Sequence, residues 1–263
     1  MAFGLTRREA LSWALASAAF GCRSGAQPAP SATASVQPSE PAWGGLEVLQ
    51  VSSMAAGERG GAAVVLLHGF GASGDDLVSL AQALQRPQTR FILPAAPIAL
   101  MGGGRAWWNI DAPDRPRYVT DPGDSAASGP NVALDAARGA VQGVLRTALQ
   151  RHAPDALMIA GFSQGAMLSL DVALAASPAV KRVGVLSGAL LVDAAQRLET
   201  VTAARPAVFI SHGREDQRLP FTGGERMKAA LEARGFAVTW RPFEGGHQIP
   251  EAIVNDLRPF LFS

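Results

Sequence analysis

Gly161-Phe162-Ser163-Gln164-Gly165 fits the pattern Gly-x-Ser-x-Gly. The preceding residues, Ala156–Ala160, form an apolar run of the kind a buried strand requires, and Ala166–Ala176 has helical character and stops before Pro178. A serine at a tight strand-to-helix turn has strained backbone angles and no room for bulky neighbours. Glycines two positions before and two positions after it let the chain pass close by. The hydroxyl then stands proud at the amino end of a helix, where nearby negative charge is also stabilised. Five residues alone make a weak signal. With strand and helix in place they predict a nucleophile for acyl transfer.

A serine hydroxyl attacks carbonyls poorly at neutral pH unless a general base takes its proton and an acid orients that base. On an elbow of this type the chain order is serine, carboxylate, histidine. Downstream of Ser163 the histidines are His212 and His247. His247, in Gly245-Gly246-His247, follows the last expected strand on a flexible loop that can return an imidazole to the serine, and it is the expected base. His212, in Ser211-His212-Gly213, precedes the acid positions and is expected to be structural. His68 and His152 precede Ser163 and are out of order. The acid is expected on the loop after the Ala207–Ile210 strand, where Glu215 and Asp216 both fit. Asp193, after an earlier strand, is a weaker alternative.

Acyl transfer also needs two backbone N–H groups aimed at the oxygen on which charge develops. The residue after the serine, Gln164, supplies one, and the loop after the Ala62–Leu67 strand should supply the other. That loop reads His68-Gly69-Phe70-Gly71-Ala72-Ser73-Gly74-Asp75-Asp76. Its glycines permit close approach to a substrate, and Phe70 N–H is the expected second donor. His68 is expected to brace the loop. A phosphate cradle is excluded here, because the Lys and Ser/Thr of a P-loop are missing.

The elements that must position these groups follow from the apolar pattern. Leu46–Val51 alternates as a half-exposed edge strand, and Ala62–Leu67 is a continuous run suited to burial on both faces. Phe91–Leu93, Ala156–Ala160, Val183–Leu186, Ala207–Ile210 and Phe236–Trp240 read as further strands. Asn131–Arg151, Ala166–Ala176, Gly224–Arg234 and Glu251–Phe262 read as helices. Alternating strands and helices predict an α/β fold with a mostly parallel central sheet and helices on both faces. The functional groups of such sheets collect at the carboxyl ends of the strands.

The first 22 residues have a different character. Arg7 and Arg8 precede an uncharged run from Ala10 to Phe20, and Thr6-Arg7-Arg8-Glu9-Ala10-Leu11 resembles a twin-arginine export signal. Cys22, the lone cysteine, follows Gly21 at the end of that run and resembles a lipoprotein cleavage and lipidation site, which would tether the protein to a membrane. Cleavage after Ala26 is the competing reading. Residues 23–43, rich in Ala, Ser, Pro and Gln, are expected to be a disordered linker, and 44–263 one catalytic domain. The expected location is the periplasm or a membrane surface of a bacterium.

The balance of 23 Lys+Arg against 22 Asp+Glu provides no basic stripe, so nucleic acid is not an expected partner. One cysteine rules out an internal disulfide and cysteine-based metal clusters. Hydrophobic residues at 48% and charged residues at 17% are the balance of a globular domain.

Taken together, His68-Gly69-Phe70-Gly71-Ala72 with Gly74-Asp75, Ala106-Trp107-Trp108-Asn109, Gly161-Phe162-Ser163-Gln164-Gly165, His212-Gly213 with Asp216, and Gly246-His247 resemble the phospholipase/carboxylesterase branch of the α/β-hydrolases, which includes the acyl-protein thioesterases. The resemblance implies a compact hydrolase with little or no lid, cleaving esters or thioesters without a cofactor. It also favours Asp216 over Glu215 as the acid. Members of the branch are mostly cytoplasmic, whereas this chain carries an export pattern. That favours small esters, lysolipids or esterified glycans over intracellular palmitoylated proteins as substrates.

Trp107 and Trp108 lie on the long loop 95–130, where their flat faces could bind an acyl or aromatic group or could cover the sheet edge. Residues 111–130, rich in Pro, Asp and Gly, are a loop and a candidate partial cover over the site. The leading expectation is a serine carboxylesterase working through an acyl-enzyme. The alternatives are a non-catalytic surface lipoprotein on the same fold, for which a triad member should be missing, and a serine peptidase, for which a peptide-selecting extra domain should be present.

Overall fold

A computed structural model of the protein describes residues 35–37, 43–119, 131–175, 180–200 and 205–263. The expected signal segment, Cys22 and most of the candidate cover at 111–130 lie outside the described residues. In chain order the elements are β1 (Ser35–Gln37), β2 (Val48–Ser52), β3 (Ala62–Leu67), α1 (Val78–Leu84), β4 (Thr89–Pro94), β5 (Ile98–Ala99), β6 (Arg105–Ala106), α2 (Val132–His152), β7 (Ala156–Phe162), α3 (Gln164–Leu174), β8 (Val180–Leu186), α4 (Val192–Thr200), β9 (Ala207–Gly213), α5 (Phe221–Ala233), β10 (Val238–Phe243) and α6 (Glu251–Phe262).

Among the described residues one sheet runs in the order β1-β2-β4-β3-β7-β8-β9-β10, and β5 and β6 form a separate small hairpin. The pairs β1–β2 and β2–β4 are antiparallel, and every pair from β4 to β10 across the sheet is parallel. The continuous apolar runs sit centrally, as strands covered on both faces must. β3 and β7 are buried along nearly their whole length, and β10 at the edge is only half-buried. One apolar layer joins the sheet to α2, α3, α4 and α5, with Leu134, Leu168, Leu198 and Met227 among its members. A second joins the other face to α1 and α6 through Leu80, Leu84, Ile253 and Leu257.

Two helix ends are set by local chemistry. Asn131 caps α2 by accepting from Leu134 N at 2.9 Å, and Ala153 closes it in a left-handed conformation. α3 is tied to its neighbours by charge. The fully buried Asp171 carboxylate accepts from Arg138 of α2 at 2.5 Å and from Arg197 of α4 at 2.8 Å. A buried charge needs such partners, and this pairing locks the helix that begins at Ser163.

Three findings differ from the sequence expectations. Residues 35–37, within the expected linker, form β1, with Val36 opposite Val51 in register. The otherwise unpaired edge of β2 offers a row of backbone donors and acceptors that a passing segment of low apolar content can still use. β2 is therefore not the edge strand that its alternation suggested. Trp43, at the end of the expected linker, is fully buried, packs against His152 with ring centroids 5.6 Å apart, and belongs to the main core. The folded body thus begins before Gly44. α1, α4 and the β5–β6 hairpin were not visible in the apolar periodicity, being short.

Candidate active site

Register sets the site. Leu67 of β3 lies opposite Gly161 of β7, so the loop leaving β3 and the turn leaving β7 emerge side by side. Ser163 sits at that turn with φ 55° and ψ −117°, a region non-glycine residues avoid. The flanking glycines are needed for space. A Cβ on Gly161 would stand 2.4 Å from the Gly165 carbonyl, and one on Gly165 would stand 2.1 Å from the Leu67 oxygen. On Gly69 it would be 3.3 Å from the Ser163 Cβ, which is how closely the β3 loop passes the serine.

Those contacts give a direct prediction. Gly165→Ala drives a methyl into two backbone carbonyls of the β3 loop, an overpacking expected to cost about 1–3 kcal/mol or more. Esterase activity should fall by about 10²-fold or more as the loop is displaced. Gly139→Ala is the control, because a Cβ in that α2 position meets nothing within 4 Å. It should leave activity unchanged and raise stability by up to about 1 kcal/mol. Thermal melts and initial rates on the two variants check both.

Asp216 lies just past β9 and His247 just past β10, as the strand order requires. His247 Nδ1 and Asp216 Oδ2 are 2.7 Å apart, and the Phe162 ring packs against the imidazole at 4.8 Å between centroids. The other carboxylate oxygen, Oδ1, accepts from the backbone N–H groups of Arg218 and Leu219, both at 2.9 Å. Burial alone would raise the Asp216 pKa. The hydrogen bonds from His212, His247 and Leu219 outweigh it and hold the carboxyl well below the ordinary range. The alternatives fall elsewhere: Glu215 is exposed beside Asp216, and Asp193 is in the first turn of α4.

Ser163, His247 and Phe70 line one cleft of about 380 Å³, whose walls also include Gly69, Gly71, Ala72, Ser73, Asp76, Phe162 and Arg218. The β5–β6 hairpin contributes Gly102, Gly103 and Gly104. Asp76 is raised above its ordinary pKa by burial and by the neighbouring Asp75. The N–H of Gln164 is the first of α3 and so has no acceptor within the helix. Phe70 lines the cleft beside Ser163, and Gln164 follows Ser163 directly in the chain. His68 braces the loop that leaves β3. Its Nε2 accepts from Ala96 N at 3.0 Å, so Nδ1 carries the proton and donates to Gly69 O at 2.8 Å. Burial lowers the His68 pKa, in keeping with a neutral ring.

The structure places Trp107 and Trp108 elsewhere than a substrate-facing reading requires. They are 1% and 3% exposed, belong to the main core and do not line the cleft. Their large apolar surface is better removed from water entirely, and Trp107 Nε1 finds a partner in His68 O at 3.0 Å. What holds them is a contact the sequence reading missed. The buried Gln164 side chain accepts from Trp107 N and donates to Trp108 O, both at 2.9 Å. Gln164 therefore joins the serine turn to the segment that leaves β6. Among the described residues no group of three or more His, Cys, Asp or Glu side chains is placed to hold a metal ion.

Acyl-protein thioesterase 1 of Gibberella zeae is 26% identical over 218 residues, covering 76% of this chain and 89% of that protein. Among solved structures, esterase PE8 superposes with a TM-score of 0.65 at 27% identity, covering 79% of this chain and 94% of that one. A carboxylesterase from Mesorhizobium loti, 20% identical, covers 87% and 99% with a TM-score of 0.67 and so shares the fold. The profile of the phospholipase/carboxylesterase family matches residues 50–262. The chain belongs to that family, the ester- and thioester-cleaving branch of the α/β-hydrolases.

Proposed function

We propose that the protein is an exported serine esterase acting on small esters through an acyl-enzyme. The observation that carries the reading is the His247–Asp216 pair, 2.7 Å long, opening onto the same cleft as the strained Ser163. Ser163 Oγ attacks the ester carbonyl carbon while its proton passes to His247 Nε2. The oxyanion so formed is held by the N–H groups of Phe70 and Gln164. Collapse breaks the ester bond, and the departing alcohol takes the proton from His247. Water then repeats the sequence on the acyl-enzyme, releasing the carboxylic acid and freeing Ser163. Asp216 keeps the proton of the resting imidazole on Nδ1, leaving Nε2 open toward the serine.

The lining supports short acyl groups and polar leaving groups. Apart from Phe70, Phe162 and Ala72 the walls are glycine, Ser73, Asp76 and Arg218, with no aliphatic side chain larger than alanine. A long acyl chain would find little apolar surface there. In a series of p-nitrophenyl esters, kcat/KM is expected to peak between acetate and butyrate and to fall by about tenfold or more by decanoate, a loss of about 1.4 kcal/mol in transition-state binding. A fluorophosphonate probe should label Ser163 in the same preparation. No labelling of the intact protein would end the serine mechanism, and a maximum at long chains would end the small-ester reading. Export and tethering rest on Arg7, Arg8 and Cys22. Fractionation of cells producing Cys22→Ala should move the protein from membrane to soluble fraction if Cys22 is lipidated.

A further inference from the structure

His212 is the next-to-last residue of β9 and is fully buried. Its Nε2 lies 2.8 Å from Leu219 O and 3.4 Å from Asp216 Oδ2. A carbonyl oxygen only accepts, so Nε2 carries the proton and points between the two oxygens. Nδ1 is buried with no hydrogen-bond partner. That nitrogen faces α5 at Gly224, where a Cβ would come within 2.9 Å of it, and the Phe221 ring stands edge-on to the imidazole at 6.1 Å. The ring thus occupies a slot cut to its shape by a glycine.

A residue kept only for packing would not be built this way. An aliphatic side chain would fill the slot without burying an unpartnered nitrogen, which is destabilising. What the imidazole supplies and an aliphatic side chain cannot is the N–H at Nε2. Leu219 is consequently gripped at both ends, its N–H by Asp216 Oδ1 and its C=O by His212. The loop from β9 to α5 is closed on itself around the carboxylate. Oδ1 takes two backbone N–H groups, while Oδ2 faces the imidazoles of His247 and His212.

We propose that His212 is a positioning residue that fixes the Asp216 carboxylate, through its Nε2–H and the Leu219 carbonyl, so that Oδ2 is aimed at His247. The inference rests on the reading of Ser163, Asp216 and His247 as a catalytic set and predicts a loss confined to the chemical step, because misorienting a catalytic group by a fraction of an ångström slows the reaction without altering the cleft.

The test compares His212→Gln, which returns an N–H near the Nε2 position, with His212→Met, which fills the slot without a donor. Both are made in the full chain and assayed on p-nitrophenyl acetate alongside thermal melts. His212→Gln should keep kcat within about fivefold of the parent, and His212→Met should lose about 10–10²-fold in kcat with KM little changed. Equal kcat values for the two variants, or a loss appearing in KM, overturn the proposal. Should either variant fail to fold, nitrogen-15 spectra of histidine-labelled parent protein decide it. His212 must show a proton on Nε2 and none on Nδ1, and the reverse tautomer overturns the proposal. Failure of the underlying catalytic reading looks different, since the parent protein itself would then resist the fluorophosphonate probe.

Discussion

Ser163→Ala is expected to reduce turnover of a short p-nitrophenyl ester by about 10⁵–10⁶-fold, the scale of loss when the nucleophile is removed from a serine–histidine–carboxylate set. The cleft, the imidazole and both N–H donors remain, so only background rates from positioning and oxyanion binding should persist. The fold should survive, because the β7–α3 turn is held through the backbone, by Ser163 N donating to Leu186 O at 3.0 Å, and not through the serine hydroxyl. The backbone strain should also be measurable. At φ 55° and ψ −117° an alanine remains as strained as the serine. Ser163→Gly should therefore be about 1–2 kcal/mol more stable than Ser163→Ala, once glycine's greater freedom in the unfolded chain is subtracted. Urea melts of the two inactive variants measure the difference, and equal midpoints would mean that the turn stores no strain.

Asp216→Asn is expected to lower kcat by about 10³–10⁴-fold while leaving the loop in place. The amide oxygen can still accept from Arg218 and Leu219. The NH₂ group that replaces Oδ2, however, donates toward His247 Nδ1 and shifts the ring proton to Nε2. The imidazole then has no lone pair facing Ser163. The variant also tests the electrostatics. Asp216 has a folded pKa depressed below its unfolded value near 3.9. Its charge therefore contributes stability that is fully present above that unfolded value and is lost as the pH falls through the folded one. The parent should accordingly lose stability below about pH 4 more steeply than Asp216→Asn does. Chemical denaturation at stepped pH values reads both curves, and parallel curves would remove the argument that the carboxylate is held ionised.

The parts of the site that were readable from the amino-acid order are those governed by backbone sterics and by strand order. Gly161 and Gly165 are recognisable because nothing larger fits beside Gly165 and Leu67. The pairing of Asp216 with His247 was legible from which strand ends precede them. What stayed hidden depends on where a loop folds back. Trp107 and Trp108 belong to the core because the segment leaving β6 passes over the start of α3, and no periodicity in 95–108 encodes that path. The clamp from Gln164 to both tryptophan backbones is a polar contact between segments 56 and 57 positions apart, beyond any local pattern. Likewise β1 exists through the open edge of β2 and not through its own composition.

The strand order also bears on synthesis. Ser163 and its glycines precede β10, His247 and α6 in the chain and so leave the ribosome before them. On the proposed mechanism, a nascent chain that has built the central strands and the serine elbow has no base to draw on until β10 docks at the sheet edge. The same mechanism would keep the catalyst silent during translation, and a chain broken off before residue 247 would be released harmless to the esters of the cell that made it.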